Sequence, residues 1–203
     1  MTELLPAGDS MPAQNLTFID FLLDETGSMS SCASATRAGF NKFVSDQREN
    51  GETCYLTLAK FDSASIRVPY ENLDVHMVPS LEFYPNAATN LYDCIGKRLE
   101  NVLSQDRRGK SLFIILTDGH DNASHLYTQD SARNIIIRAQ NEGVVVVYMG
   151  PSDNAMTIGE QLGIPSGNIF PFETTNMETT METLSSSTKA FTTGKATSDN
   201  FFA

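Results

Sequence analysis

Hydrophobic positions along the chain fall into two periods. Leu16 to Leu23 is a nearly continuous apolar run that stops at Asp24, and it predicts a strand buried on both faces. Asp20 is the odd residue inside it, so burial there is expected to be incomplete. Ser111 to Thr117, centred on Phe113-Ile114-Ile115-Leu116, ends in the same way at Asp118. Val144 to Met149 is a third such run, broken by Gly150-Pro151. Thr53 to Phe61 and Ser65 to Tyr70 flank the Asp62-Ser63 turn and predict an antiparallel hairpin. Asn168 to Pro171 predicts a short last strand.

Between these runs the apolar spacing changes to that of a helix. Ala35, Phe40, Phe43, Val44 and Gln47 form one stripe, closed by Gly51. Leu91, Ile95, Leu99, Val102 and Leu103 form a second, which the basic residues of Arg107-Arg108-Gly109-Lys110 are expected to close. Ala132, Ile135, Ile136 and Ala139 form a third, punctuated by Gly143, and Met156 to Leu162 predicts a short helix capped by Gly163. Thr175 and Glu178 have capping-box spacing and are expected to open the final helix. Residues 71–88, interrupted by Pro79 and Pro85, predict a loop with short pieces of structure.

Alternation of this kind predicts a Rossmann-like, doubly wound α/β domain. It implies a mostly parallel sheet of about six strands, one antiparallel edge strand, and helices on both faces. The expected division is an irregular N-terminal arm over 1–15, one domain over 16–191, and a flexible Ser/Thr-rich tail over 192–203.

Composition narrows the partners. The chain has 203 residues, 40% of them hydrophobic, which is enough for one sizeable core. Its 25 acids against 14 bases leave a formal charge of −11, so nucleic acid and anionic membrane surfaces are not expected partners and a cation is. No apolar run approaches the length of a membrane span, and Met1 to Asn15 lacks the pattern of a standard signal peptide. Cys32, Cys54 and Cys94 are odd in number and widely spaced, which reads as buried small hydrophobes in a reducing compartment. A cytoplasmic location is therefore expected.

In open α/β sheets ligands sit beyond the carboxyl ends of the strands, where the strand order reverses. Two buried strands deliver Asp24 and Asp118 to that edge. Thr26 and Ser28 follow Asp24 at alternate positions, and the small-residue loop Asn86-Ala87-Ala88-Thr89-Asn90-Leu91 opens a helix between them. Two carboxylates and three neutral hydroxyls match a hard cation with oxygen ligands: Mg²⁺ or Mn²⁺ best, Ca²⁺ less well. Two carboxylates only balance a divalent ion, so such an ion stays able to take an external carboxylate. The competing reading is a set of caps and turn residues, which Asp, Ser and Thr favour at strand ends in any case.

Asp24-x-Thr26-x-Ser28, then Thr89, then Thr117-Asp118-Gly119 resembles the metal-ion-dependent adhesion site (MIDAS) of von Willebrand factor A (vWA) domains. The resemblance is closer to small stand-alone bacterial and phage vWA proteins. It is carried also by Gly39-Phe40-Asn41-Lys42-Phe43, Phe61-Asp62, Thr89-Asn90-Leu91-Tyr92-Asp93, His120-Asp121-Asn122-Ala123-Ser124 and Leu162-Gly163-Ile164. It covers about Leu16 to Gly163. It implies that Thr26, Ser28 and Thr89 ligate the metal through their hydroxyls, and that Asp24 and Asp118 bind partly through coordinated waters. The Thr26 methyl and the Ala87-Ala88 pair depart from the family pattern and are expected to weaken affinity.

The implied function is adhesive and non-enzymatic. A partner protein would offer an Asp or Glu side chain or a chain terminus, with Glu25, His120 and Asp121 on the rim. Loops 71–88 and 119–127 would set specificity. Two other readings stand beside it: a phage virion or assembly component, and a magnesium-dependent phosphoester hydrolase. Against the last, Asp24-Glu25-Thr26 lacks the second aspartate of a haloacid-dehalogenase motif, and neither a GxxxxGK[ST] loop nor a GxSxG elbow occurs. His120 and His125 match no standard zinc spacing.

Overall fold

A computed structural model describes residues 16–202; the expected N-terminal arm lies outside the described residues. The elements run β1 (Leu16–Asp24), α1 (Ala33–Glu49), β2 (Thr53–Phe61), β3 (Ile66–Asp74), α2 (Leu91–Leu103), β4 (Lys110–Leu116), α3 (Gln129–Asn141), β5 (Val144–Pro151), α4 (Ala155–Gln161), β6 (Ile169–Phe172) and α5 (Met177–Thr192). They form a six-stranded sheet in the order β3-β2-β1-β4-β5-β6. Every pairing is parallel except that of β2 with β3 at the edge.

Alternation along β1 sorts the core into two layers. Ile19, Phe21 and Leu23 pack with Phe40, Phe43 and Val44 of α1 and with Met177, Met181 and Leu184 of α5. Leu22 faces the other way, among Ile95 and Leu99 of α2 and Ile135 and Ile136 of α3. The α1–α5 contact is close because Gly39 has no side chain: a Cβ there would lie 2.5 Å from Met181 Cγ. All three cysteines are free and buried within these layers.

Asp20 shares the face of Leu22, and that explains a departure from expectation. It is 2% exposed, deeper than its charge suggested, because two guanidinium groups reach it. Arg98 of α2 lies 3.4 Å away, and Arg107 pairs with the other carboxylate oxygen. Arg107 therefore does not close α2, which stops at Leu103; it crosses the base of the sheet and stacks its guanidinium over Phe18.

Other expected boundaries also shift. β3 runs on to Asp74, four residues past Tyr70, and a 3₁₀ turn follows over Val75–Met77. Gly150-Pro151 does not break β5, because Gly150 and Pro151 still pair with Pro171 and Phe172 on β6. Thr175 and Glu178 form no capping box; α5 starts from a 3₁₀ turn at Thr174–Asn176 with no side-chain cap. A capping box instead joins Thr128 and Ser131 at the start of α3.

The segment after α5, expected to be a flexible tail, is docked on the domain through residue 202. The buried Asn168 side chain accepts from Phe201 N at 3.0 Å and donates to Ser198 O at 2.7 Å. Phe201 is 1% exposed against Phe191, and the Phe202 ring packs at a tilt with its centroid 5.1 Å from that of Phe170. Two aromatic rings bury enough apolar area to hold a short segment that polar composition alone would leave loose.

Candidate metal centre

The strand order places the candidate site. β1 leads through α1 to β2 on one side, whereas α2 carries the chain back across to β4 on the other side of β1. Their carboxyl ends flank the crevice where the order reverses, and Asp24 and Asp118 stand at its two lips.

Asp24 is fully buried, and both its oxygens are engaged. Oδ1 accepts from Thr26 N at 2.8 Å, and Oδ2 from the Thr117 hydroxyl at 2.6 Å. The Ser28 hydroxyl donates to Asp118 Oδ1 at 2.6 Å. Thr26 Oγ1 lies 3.1 Å from Ser28 Oγ, and since the Ser28 proton is taken by Asp118, Thr26 is the donor in that pair. A chain of hydroxyls thus runs Thr26 to Ser28 to Asp118. Ser28 itself is exposed.

Thr89 arrives on the third loop, which is tied to both neighbours. Gly27 N donates to Ala87 O at 3.0 Å, and Asn86 N to Glu25 O at 2.8 Å. On the other side Asn122 Oδ1 accepts from Thr89 N at 3.0 Å, while Asn122 N and Ala123 N donate to Thr89 O. The loop needs a left-handed residue at Ala87, with φ of +65°, a conformation that favours glycine. A Cβ built on Gly119 would lie 3.2 Å from Thr89 Oγ1 and 3.8 Å from Ser28 Oγ. Both hydroxyls therefore face the space that Gly119 leaves open.

Charge in this cluster is unbalanced. Burial pushes the Asp24 carboxyl up to about 6, despite the opposing bonds from Thr117 and Thr26, and the nearby Asp118 charge adds to the rise. Burial likewise raises Asp118, against the Ser28 bond. A buried acid beside a half-buried one favours a proton or a cation. Oxygen-only donors, two of them acidic, suit a hard divalent ion. Among the described residues no group of three or more His, Cys, Asp or Glu is placed to hold a metal.

The structure thus brings Asp24, Thr26, Ser28, Thr89 and Asp118 to one crevice, and treats the expected rim residues differently. His120 is exposed, its Nε2 2.7 Å from Asn154 Nδ2. Glu25 is not on the rim. It is 2% exposed and paired with Lys60 at 3.0 Å and Arg67 at 2.7 Å, one residue past the end of β1. Asp121 is half-buried and structural: it accepts from Tyr92 N at the start of α2 at 3.2 Å and from the Ser124 hydroxyl. Thr117 and Asn122 are supporting residues to which the sequence pattern assigned no role. Thr117 had a signal in its place beside Asp118, and Asn122 in its place within a motif that carries the vWA resemblance. A cleft of about 290 Å³ opens beside Asp118, bounded by Ser152, Asp153, Phe172 and Glu173.

No family model matches the chain, and neither does any curated protein. Solved structures do. The pilus adhesin SpaC from Lactobacillus rhamnosus GG, in its open conformation, aligns with a TM-score of 0.72 at 13% identity, over 87% of this chain and 30% of that one. The ArnB paralog VWA2 from Sulfolobus acidocaldarius aligns at 0.58 and 16% identity, over 84% and 45%. The fold is a vWA fold. Proximal thread matrix protein 1 from the mussel byssus also aligns, at 0.63 and 15% identity, over 85% of this chain and 46% of that one. This chain spans less than half the length of each. At such identities the likeness concerns the vWA fold alone.

Proposed function

We propose that this vWA domain binds a divalent cation, Mg²⁺ or Mn²⁺, and through it grips an acidic group on a partner protein. One observation carries the reading: the Thr26–Ser28–Asp118 hydroxyl chain and the buried Asp24 meet at the sheet's switch point, with the Thr89 hydroxyl turned toward the same space. Ser28, Thr26 and Thr89 would hold the ion through their hydroxyls, and Asp24 and Asp118 through their carboxylates or waters bound to them. Bound there, the ion would supply a Lewis-acid position for one carboxylate from outside.

The chain's own residues prepare this. Thr117 and Thr26 N hold Asp24 in one orientation, so its charge is fixed before any ion arrives. Ser28 stands at the exposed end of the hydroxyl chain, where a partner can reach. Its proton goes to a carboxylate that is itself a candidate ligand, which favours a ligand role over that of an activated nucleophile. The domain's −11 charge repels acids at long range, so capture must rely on the local site. A pilus adhesin and a thread matrix protein among the fold neighbours agree with a binding role.

The test is a pull-down with the purified domain as bait, in Mg²⁺ and in excess EDTA, repeated with Thr89→Ala. Capture that requires Mg²⁺ and fails in the variant is expected; equal capture in EDTA refutes metal-dependent adhesion. Recovery of the protein in purified phage particles would favour the assembly reading, and Asp24-dependent phosphoester turnover the hydrolase reading.

A further inference from the structure

A heavily bonded side chain near the site belongs to none of the candidate ligands. Glu25 sits between Asp24 and Thr26, and both its carboxylate oxygens are occupied. Oε1 accepts from Lys60 Nζ at 3.0 Å and from Tyr84 N at 2.7 Å; Oε2 accepts from Arg67 Nη2 at 2.7 Å. Lys60, itself 7% exposed, also donates to Glu82 O at 2.7 Å. Arg67 pairs in addition with Asp62 at 2.9 Å, so two acids and two bases balance. A balanced cluster of this kind, with Glu25 and Lys60 buried and Arg67 closing it from the surface, is a poor source of net stability but sets geometry well.

Its bonds go to a particular place. Tyr84 N and Glu82 O lie at the upstream end of the loop that delivers Thr89, and Asn86 N donates to the Glu25 carbonyl. The Tyr84 ring is 71% exposed, while the neighbouring Phe83 ring is buried in the core and its carbonyl accepts from Arg37 at 3.2 Å, so the Glu25 and Lys60 bonds act on the stretch together with that anchor. The downstream end is pinned separately by Asn122. Between the two anchors lies Ala87, whose backbone is in the left-handed region and would relax if one end were freed.

Building on the metal reading above, we infer that Glu25 is a positioning residue: with Lys60 it clamps residues 82–86 and thereby sets where the Thr89 hydroxyl is presented. It acts through Thr89 and not as a ligand, because both its oxygens are committed away from the crevice. Groups that orient metal ligands in this way typically change affinity 10–100-fold when altered.

The experiment compares wild type, Glu25→Gln and Lys60→Gln by two measurements. The first is amide hydrogen exchange in EDTA. Faster exchange at Tyr84 and Asn86, with β4 and β5 amides unchanged, is expected in both variants. Unchanged exchange at Tyr84 and Asn86, or acceleration throughout the fold in Lys60→Gln, overturns the inference. Lys60→Gln is the fallback if Glu25→Gln does not fold, since it leaves the Arg67–Glu25 pair in place. The second is Mn²⁺ titration calorimetry, in which affinity is expected to fall 10–100-fold in the variants. Equal affinity in all three proteins overturns the inference and leaves the proposed function standing. If wild type takes no Mn²⁺, the proposed function fails instead, and the exchange measurement still decides the role of Glu25.

Discussion

Asp24→Asn offers a test in which stability and binding move in opposite directions. Asp24 is buried without a neutralising cation, and its carboxyl is raised from 3.8 to about 6. The folded chain therefore holds this proton more tightly than the unfolded chain does. Stability must fall as pH rises from about 4 to about 6 and stay at the lower level above that. At ~1.4 kcal/mol per pH unit the ionised group costs about 3 kcal/mol at neutral pH in the absence of metal. An asparagine carries no such penalty. Its carbonyl can still accept from Thr26 N, and its amide can donate to Thr117 Oγ1, which turns its own proton toward Gly119 O at 3.2 Å. Trading a charge-assisted bond for a neutral one returns ~1 kcal/mol of the gain. The variant should thus be about 2 kcal/mol more stable than wild type in EDTA at pH 7.5, a rise of ~4–8 °C in Tm for a domain of this size. The gap should close near pH 4. Adding Mg²⁺ should raise the wild-type Tm through ligation to the folded state and leave the variant unmoved. Thermal melts at four pH values, with and without Mg²⁺, measure all of this. A variant less stable than wild type in EDTA at neutral pH, or a gap independent of pH, would refute the reasoning.

Gly119→Ala places a methyl 3.2 Å from Thr89 Oγ1 and should weaken Mn²⁺ binding by about tenfold with little change in melting temperature, measured by calorimetry and melts. Ala87→Gly relieves a left-handed backbone and should stabilise the chain by ~0.5–1 kcal/mol in urea unfolding. Phe201→Ala should cost about 3 kcal/mol and open Lys195 to trypsin, because the ring anchors the C-terminal segment. Burial would raise Asp93, but the backbone N–H groups of Tyr127, His125 and Leu126 outweigh it and hold the carboxyl below its usual range. Its contribution is therefore present above about pH 4 and lost as pH falls further, so the stability gap between wild type and Asp93→Asn should shrink on acidification.

Much of the architecture was legible because strands buried on both faces and amphipathic helices leave different apolar periods. The run into Asp24, the run into Asp118 and the α2 and α3 stripes each announced their element within a residue or two at most ends. Boundaries were missed where a distant partner overrode the local pattern: Arg107 left the end of α2 for Asp20, and β5 kept pairing through Pro151 because Phe172 lay alongside. The five oxygen donors were legible for a related reason. Their places at strand ends and loop starts, taken with the resemblance to vWA domains, marked them as candidates; the strand order then brought them to one crevice. Glu25 was misplaced because an acid beside a turn looks the same in sequence whether it faces water or a buried lysine.

By itself, then, the chain's pattern determined the class of fold, the parallel sheet with its single antiparallel edge, and the residue types offered at the carboxyl ends of β1 and β4. Tertiary structure decided that β1 and β4 are neighbours, that Asp24 is buried deeply enough to resist ionisation, that Glu25 turns inward to Lys60, and that Phe201 returns to Asn168. The division has a physical cause. Periodicity records how each residue meets the core nearest in sequence, while pairing across the sheet and between loops depends on groups brought together only when the chain closes on itself.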